Sequence, residues 1–444
     1  EKAGLAAGDI IIAIESESCA PGGAEHRAKL LGEAGTSVTV TVRHADGTQA
    51  DYTVTRALVT QTNTTVSVTG GVGYIDCDSF GTQTGTYFQE GVRGNDSAVR
   101  AWIVDLRGNG GGLTSAAVSA LGAFSGEGDL TYFVDQDGES TAQSYSGKDL
   151  TDKPAIVLMD SGSASASEIF AGGVLGTGSG IVIGTRSYGK GVAQVLYDES
   201  NCPYLHGDAV KVTAYRFYCA GGNTTDRIGV VPTLYIPQDQ AVAAARLLSG
   251  EKTKDSAYLR LVLNGCDFYI DISAAKEISS TVLEAILTAL TPDAVLYWGE
   301  NGGERKLTLA QAREKCGFAA SSALDFSDVA DSEYVEEIDS LAASRIVFGD
   351  GGKFRPDATM TRAEVCALLA QALDLYSTAD GYFTDVVKGS WYAPSVNAMA
   401  AIGLVSGVGG GKFDPNATMT QEEFITVLGR LVEFVNLDAR EFLD

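Results

Sequence analysis

The sequence is poor in the residues on which most metal sites and many catalytic sites depend. Its 444 residues include only three histidines, His26, His44 and His206, so a mechanism that needs histidine has few candidates. The seven cysteines are odd in number, and no two of them have C-x-x-C spacing. These counts disfavour a zinc site and exclude a dense disulfide framework. We therefore expect no metal and no organic cofactor, although Cys202 and Cys219 flank a hairpin-like segment and could form one disulfide bond.

Positive charge and long apolar runs are also scarce. The chain has 32 Lys and Arg against 57 Asp and Glu, a net charge of −25, which argues against nucleic acid as a partner because phosphate binding needs clustered Lys and Arg. No apolar run reaches about 18 residues, so we expect no membrane span. Hydrophobic residues make up 45% of the chain, which is typical of folded domains, and its length suggests about three of them. The chain begins at Glu1 inside a segment that looks structured, so we expect a targeting sequence to precede it.

Residues 1–60 are typical of a small β-rich domain. A strand is predicted at residues 10–14, and period-two alternation of apolar residues predicts two more at 38–42 and 52–54. One helix is predicted at residues 24–31.

Residues 71–235 follow a polar linker at residues 61–67 and have a different pattern. Apolar runs predict strands at residues 72–75, 101–106, 155–159, 180–184 and 209–218, and helices within 87–99, at 115–124 and at 164–175. Strands that alternate with helices in this way predict an α/β core with parallel pairing.

The remaining chain divides into a connector and a repeat. Residues 236–320 are predicted to be a helix-rich connector, with helices at 238–248 and 281–290 and no recognisable chemistry. Residues 321–444 contain an internal repeat: F-S-D-V at 326–329 recurs as F-T-D-V at 383–386, and K-F-R-P-D-A-T-M-T at 353–361 recurs as K-F-D-P-N-A-T-M-T at 412–420. Thr361 and Thr420 each precede a glutamate by three residues, which is the spacing of a helix capping box. A third copy could begin after Leu437.

Two familiar kinds of catalytic site fit the central segment poorly. A phosphate loop is nearly matched from Gly184 to Lys190, but Gly191 follows where a serine or threonine would hold magnesium. A serine–histidine hydrolase would place its serine in a G-x-S-x-G elbow, which does not occur around residues 161–167. The nearby histidine, His206, lies in a segment typical of a surface turn.

A serine–lysine dyad fits better. A serine is a poor nucleophile without a base, and a lysine can be that base when burial lowers its pKa. Glycines flank Lys190, and Ser165 begins an apolar helix, whose start offers unpaired N–H donors. The Gly110-Gly111-Gly112 loop after another strand could supply a further N–H to an oxyanion. The alternative is a helix that begins with small residues only for packing.

Three blocks of the sequence resemble the carboxyl-terminal processing peptidases, a family of serine peptidases. The blocks are D-L-R-G-N-G-G-G at 105–112, S-A-S-A-S-E-I at 163–169, and Y-G-K-G at 188–191 with Gln194. Their order and the 25-residue separation of serine and lysine match the family, and the resemblance extends over about residues 1–250. It departs at Gly108 and Gly110, where the family often has Asn and Pro.

The resemblance implies a role for each residue of these blocks. Ser165 would be the nucleophile, Lys190 the general base, and Gln194 the residue that orients Lys190. The oxyanion would be bound by the N–H of Ala166 and by that of a glycine, Gly111 or Gly112, and Glu168 and Arg107 would support the site.

The flanking segments resemble two binding modules. Residues 1–60, with E-K-A-G-L-A-A-G-D-I-I at 1–11, resemble the second half of a PDZ domain, which in such peptidases captures a substrate C-terminus as an added strand. The repeats at 321–380 and 381–444 resemble S-layer homology domains, which hold exported proteins to the bacterial cell wall. The resemblance implies that Arg362, in T-R-A-E, binds an anionic wall polymer, whereas T-Q-E-E at 420–423 lacks this arginine.

The sequence therefore predicts a multidomain protein. Its parts would be a partial β-rich PDZ domain (1–60), an α/β peptidase core with ClpP/crotonase-like layers (71–235), the connector (236–320) and all-α S-layer homology repeats. The function expected is that of an exported, wall-anchored serine endopeptidase that cleaves proteins at or near their C-termini. The alternative is a catalytically silent wall-bound scaffold or peptide-binding protein on the same fold.

Overall fold

A computed structural model describes most of the chain, namely residues 4–6, 8–19, 29–57, 63–206, 208–253, 256–321 and 324–435. The side chains of residues 277 and 278 are not part of this description. The chain divides into two compact units, Glu1–Thr62 and Asn63–Asp444.

The N-terminal unit contains a four-stranded antiparallel sheet of order β2-β1-β3-β4. Its strands are β1 Ile10–Ile14, β2 Glu17–Ser18, β3 Ser37–Arg43 and β4 Gln49–Thr55. The inward side chains Ile14, Val38, Val40 and Val42 are almost fully buried, which confirms the period-two prediction. The helix predicted at residues 24–31 lies largely outside the described residues. The likeness of this unit to a PDZ domain stays a prediction.

A six-stranded sheet forms the centre of the larger unit, in the order β14-β11-β10-β7-β6-β5. The strands are β5 Thr64–Thr69, β6 Val72–Cys77, β7 Ala101–Asp105, β10 Ala155–Met159, β11 Gly180–Gly184 and β14 Leu234–Tyr235. All neighbours pair in parallel except β5 and β6. The linker predicted at 61–67 is wrong from residue 64 onward, because its Thr and Val residues form this edge strand.

Helices cover both faces of the central sheet, as expected for parallel pairing. One face holds α1 Thr84–Asn95, α2 Thr114–Ser125 and α3 Ala166–Thr177, which contribute Phe88, Leu121 and Phe170 to one core. The other face holds α4 Gln238–Leu248, which contributes to a second core with Ile156 and Ile183. The predicted α/β core is confirmed.

A second sheet, of order β12-β13-β8-β9, lies within the same unit. Its strands are β8 Gly128–Val134, β9 Ser140–Tyr145, β12 Val192–Tyr197 and β13 Val210–Cys219. β13 confirms the strand expected at 209–218. Cys202 and Cys219 are both free thiols, so the possible disulfide bond is not formed.

The predicted helix-rich connector is wrong at residues 258–271 and 295–307, because four strands lie there. The antiparallel sheet β16-β15-β17-β18 consists of β15 Tyr258–Leu263, β16 Cys266–Asp271, β17 Val295–Glu300 and β18 Gly303–Leu307, with helices α5 Ile272–Thr288 and α6 Leu309–Cys316. Asn-Gly pairs at 264–265 and 301–302 turn both hairpins, each with positive φ at both positions. This pair is a strong hairpin signal, and the prediction of a helix-rich connector does not include it.

The repeats contain four helices in the described part of the chain. These are α7 Val335–Ala343, α8 Arg362–Ala372, α9 Ala393–Ala401 and α10 Gln421–Val435. The N–H of Glu364 donates to the Thr361 hydroxyl (3.2 Å), and that of Thr361 donates to the Glu364 carboxylate (2.7 Å), so the capping box is confirmed. The possible third copy after Leu437 lies outside the described residues.

The repeated aspartates make the same contacts in both copies of the motif. The Asp328 carboxylate accepts the N–H groups of Phe354 and Arg355, each at 2.9 Å. Asp385 makes the same pair of bonds to Phe413 and Asp414 (2.8 and 2.9 Å). In each copy the F-x-D-V aspartate therefore fixes the turn that carries K-F-x-P.

Candidate active site

Ser165 lies where the loop after β10 turns into helix α3. Its backbone has φ of +60°, which is unusual for a residue other than glycine, and its exposed fraction is 7%. Strained residues of this kind cluster at functional sites. The local geometry thus presents one nearly buried serine at a helix N-terminus.

The glycine loop after β7 packs directly against this serine. A Cβ atom added to Gly111 would lie 2.8 Å from Ser165 Cβ and 2.9 Å from the backbone nitrogen of Ala166, and φ of Gly111 is +102°. Only glycine fits so close an approach. The structure therefore brings the first two of the three sequence blocks into contact.

The two candidate oxyanion glycines differ in their hydrogen bonds. The Gly111 N–H donates to Asn109 Oδ1 (2.9 Å) and is already occupied. Within the part of the chain that the structure describes, the N–H groups of Gly112 and Ala166 have no acceptor. An unpaired N–H near a nucleophile can bind a developing negative charge. The geometry therefore favours Gly112 over Gly111 as the partner of Ala166.

The buried carboxylate of Glu168 joins the serine loop to the lysine loop. Its Oε2 accepts the backbone N–H groups of Ser165 (2.7 Å) and Lys190 (2.9 Å). Its Oε1 accepts the Ser187 hydroxyl (2.6 Å) and the Gly189 N–H (2.7 Å). Glu168 has no exposed surface, and this burial raises the pKa of its carboxyl although all four bonds act in the opposite direction. One side chain thus sets the spacing between the predicted nucleophile and the predicted base.

The Lys190 side chain points toward Gln194. Lys190 Nζ lies 3.4 Å from Gln194 Oε1, a long hydrogen bond, and the Gln194 side chain on β12 is exposed. No hydrogen bond joins Lys190 Nζ to Ser165 Oγ, both of which the structure describes. Catalytic hydrogen bonds are often unmade before substrate binds. Glu168 therefore links the backbones of Ser165 and Lys190, and their side chains are not hydrogen-bonded to each other.

Arg107, predicted to support the site, forms an ion pair with Asp105 instead of contacting Ser165. Its Nη2 lies 2.6 Å from Asp105 Oδ2, which also accepts the Tyr74 hydroxyl (2.6 Å). Burial alone would raise the pKa of Asp105, but the hydrogen bonds from Arg107 and Tyr74 hold it below its usual value. Arg107 thus fixes the end of β7, just before the glycine loop.

Two residues that tie the loops together were missed in the sequence. The side-chain NH2 of the fully buried Asn109 donates to the backbone carbonyl of Cys77 (2.7 Å). The backbone carbonyl of Asn109 accepts the Ser167 hydroxyl (2.9 Å). Asp160 Oδ1 accepts the N–H groups of Gly108 and Gly162, each at 2.8 Å. An asparagine and an aspartate in loops are common turn residues, so their spacing alone carried no signal for these contacts.

Arg362 of the first repeat is buried against the second repeat, with 6% of its surface exposed. Its guanidinium pairs with Glu423 (2.6 Å), donates to the carbonyls of Phe413 and Ser406 (each 2.9 Å), and lies 4.7 Å from the Phe413 ring centre. The predicted contact with a wall polymer stays a prediction, and this geometry gives it little support.

The residues that the structure describes contain no group of three or more His, Cys, Asp and Glu side chains arranged to hold a metal ion. None of their helices is both long and apolar enough to cross a bilayer.

Known families match two parts of the chain. Residues 71–236 match peptidase family S41, and residues 325–366 and 382–425 match the S-layer homology domain. The latter indicates association with the cell surface or the S-layer.

Curated relatives match a little over half of the chain. A carboxy-terminal-processing protease of Bartonella bacilliformis is 31% identical over 248 residues, which cover 53% of this chain and 56% of that protein. Carboxy-terminal processing protease CtpB of Bacillus subtilis is 31% identical over 284 residues, covering 60% and 58%. A solved structure titled photosystem II D1 C-terminal processing protease is 28% identical, covers 56% of this chain and 69% of that one, and has a TM-score of 0.37.

The chain spans a little over half the length of these curated relatives. The resemblances inferred from the three sequence blocks and from the repeats are confirmed by the family matches. The names of the curated relatives support a serine peptidase. The chain therefore carries a domain of peptidase family S41, followed by two S-layer homology domains.

Proposed function

We propose that the protein is a serine endopeptidase that acts through a Ser165–Lys190 dyad and is held at the cell surface by its repeats. The observation that carries this proposal is the Glu168 carboxylate, which accepts the backbone N–H groups of both Ser165 and Lys190. A side chain that binds both loops at once keeps nucleophile and base at a fixed spacing, which is what proton transfer between them requires.

The reaction begins with proton transfer from the serine. Lys190 Nζ, as the neutral amine, leaves Gln194 and accepts the proton of Ser165 Oγ, which then attacks the scissile carbonyl carbon. The N–H groups of Ala166 and Gly112 bind the oxyanion that forms. The protonated lysine then gives its proton to the leaving amine, and an acyl-enzyme on Ser165 remains.

Deacylation repeats the same steps with water. Lys190 accepts a proton from water, and the resulting hydroxide attacks the ester carbonyl. The protonated Lys190 then returns the proton to Ser165 Oγ as the bond between the acyl carbon and that oxygen breaks. The carboxylic acid that leaves loses its own proton to water. Bond making and proton transfer use only the chain's own groups and water. Gln194 returns Lys190 to its resting position through the 3.4 Å contact.

The substrate class that we propose is a protein or peptide cleaved at or near its C-terminus. The names of the curated relatives, which are carboxy-terminal processing proteases, support this class.

The partner proposed for the repeats is a cell-wall polymer, and binding it requires that the protein be exported. The full chain should sediment with purified wall polymer, and a chain of the same fold that lacks such repeats should not. Binding of Arg362 to the polymer would require that it leave Glu423, so Arg362→Ala should alter sedimentation only if this exchange takes place.

The rival function is a silent scaffold on the same fold, which the open Ser165–Lys190 side-chain geometry would also suit. Cleavage of an unfolded protein with an apolar C-terminal tail decides between them. The native chain should cleave it, Ser165→Ala and Lys190→Ala should not, and Ser161→Ala, at an exposed serine four residues away, should behave as the native chain does. Equal residual cleavage in Ser165→Ala and the native chain would contradict the peptidase.

A further inference from the structure

The two S-layer homology repeats touch the peptidase domain beside the predicted base. Each repeat presents the C-terminal end of its second helix, α8 or α10, to one peptidase arginine. The guanidinium of Arg186 donates to the carbonyl of Ala372, the last residue of α8. The guanidinium of Arg227 donates to the carbonyl of Phe434 (2.8 Å), in the last turn of α10.

Both arginines suit the ends of these helices. The last four carbonyls of a helix lack partners within it and carry partial negative charge, which a guanidinium stabilises. The repeats also have 8 Lys and Arg against 20 Asp and Glu over residues 321–444, so their field attracts cations. Arg186 is half-buried, which lowers its pKa, and the nearby Asp374 carboxylate of the first repeat counteracts this.

Arg227 adds a second kind of contact. Its guanidinium carbon lies 4.1 Å from the centre of the Phe434 ring, within the range of a cation–π interaction. The adjacent Ile228 packs against the apolar core that the two repeats share. The backbone of Arg227 has φ of +64°, a conformation that a non-glycine residue keeps only when its surroundings hold it.

The same segment supports the loop that carries Lys190. We call residues 185–191 the lysine loop and residues 225–230 the bracing segment. The N–H of Arg227 donates to the Gly189 carbonyl (2.9 Å), and that of Val230 donates to the Ser187 hydroxyl (2.6 Å). Gly191 lies against Asp226 so closely that an added Cβ would be 2.3 Å from the Asp226 Cβ.

We propose that Arg186 and Arg227 are positioning residues through which the docked repeats hold the lysine loop in its catalytic place. Arg186 belongs to this loop, and Arg227 belongs to the bracing segment that hydrogen-bonds to it. The repeats would therefore act on the reaction as well as on anchoring. This inference rests on the proposed Ser165–Lys190 peptidase.

The test is a set of variants of the full chain, assayed for cleavage of the same unfolded protein. Arg227→Ala should lower kcat about tenfold, because a small misplacement of a catalytic group slows the chemical step, and it should leave KM within about twofold. Phe434→Leu removes the ring on the other side of the contact and should lower kcat in the same direction. The matched control is Arg430→Ala on the same helix, since Arg430 donates to Leu404 within the repeat (3.2 Å).

The double variant distinguishes a shared contact from separate damage. Because Arg227 and Phe434 touch each other, the loss of kcat in the double variant should be smaller than the product of the two single losses. Multiplicative losses, an unchanged kcat in Arg227→Ala, or an equal loss in Arg430→Ala would overturn the inference.

Hydrogen exchange separates this inference from the proposed peptidase. The amides of Gly189 and Lys190 are bound by Glu168 and should exchange faster in Arg227→Ala and at the native rate in Arg430→Ala. This readout needs no turnover. A native chain without cleavage but with this exchange pattern would contradict only the peptidase, whereas native exchange in Arg227→Ala would overturn the positioning role.

Discussion

Replacing Glu168 by glutamine perturbs the side chain on which the candidate site depends. The substitution keeps the size of the side chain and turns one acceptor oxygen into an NH2 donor. If the NH2 group replaces Oε2, the N–H groups of both Ser165 and Lys190 lose their acceptor. If it replaces Oε1, only the Gly189 N–H does, because the Ser187 hydroxyl can itself accept a hydrogen bond. The second arrangement costs less and should be the one adopted.

The magnitude follows from that one unpaired group. A buried donor without an acceptor costs about 1–3 kcal/mol, so the free energy of unfolding should fall by about this amount. Gly189 would have to move to find another acceptor, and it adjoins Lys190. Misplacing a catalytic group by about 1 Å can cost about 10²-fold in rate, so kcat/KM should fall by up to this factor.

Two assays measure these effects. Urea unfolding gives the change in stability, and cleavage of an unfolded protein gives kcat/KM. Glu127→Gln, at an exposed glutamate of the same domain, is the control and should change neither quantity. If Glu168→Gln kept the native kcat/KM and a free energy of unfolding within about 0.5 kcal/mol of native, the four hydrogen bonds would not be what organises the site.

Three further predictions follow from the same geometry. Lys190→Arg should be as inactive as Lys190→Ala in the cleavage assay, because guanidinium stays protonated and cannot act as a base; full activity in Lys190→Arg would exclude lysine as the base. Asn109→Ala should lower the free energy of unfolding by about 1–3 kcal/mol in urea, because it leaves the buried Gly111 N–H without an acceptor; native stability would show that the loop finds another partner. Asp105 has a pKa below its usual 3.8, so its contribution to stability is present above that pH and is lost as the pH falls through the lower folded-state value. The stability of Asp105→Asn, followed by acid titration at fixed urea, should therefore fall less steeply than that of the native chain below pH 3.8, and parallel curves would contradict this.

The regular elements of the peptidase domain were predictable because each has a strong local pattern. β10, β11 and α4 begin and end where the sequence predicts, since each is a continuous apolar run or an amphipathic helix with clear ends. The connector sheet was not predicted, although the Asn-Gly pairs at 264–265 and 301–302 are typical of the turns of its two hairpins. In such a segment, turn chemistry predicts hairpins where helical periodicity alone does not.

The candidate site was predictable in its residue types and not in its contacts. Motif resemblance brought together Ser165, Lys190 and the glycine loop. The target of a side chain, however, depends on which loops meet in space. Glu168 binds residues up to 22 positions away, and Arg362 finds Glu423 at a separation of 61 positions. No local pattern encodes these pairs, so the burial of Arg362 could not be predicted from the sequence.

The identity of the nucleophile is tested most directly by covalent labelling. The native chain and its Lys190→Ala variant would be treated with a serine-directed fluorophosphonate, digested, and mapped by mass spectrometry. The account predicts one adduct in the native chain, on Ser165, and a much slower adduct at the same serine in Lys190→Ala. An adduct on another serine, or an unlabelled Ser165 in the folded native chain, would contradict it.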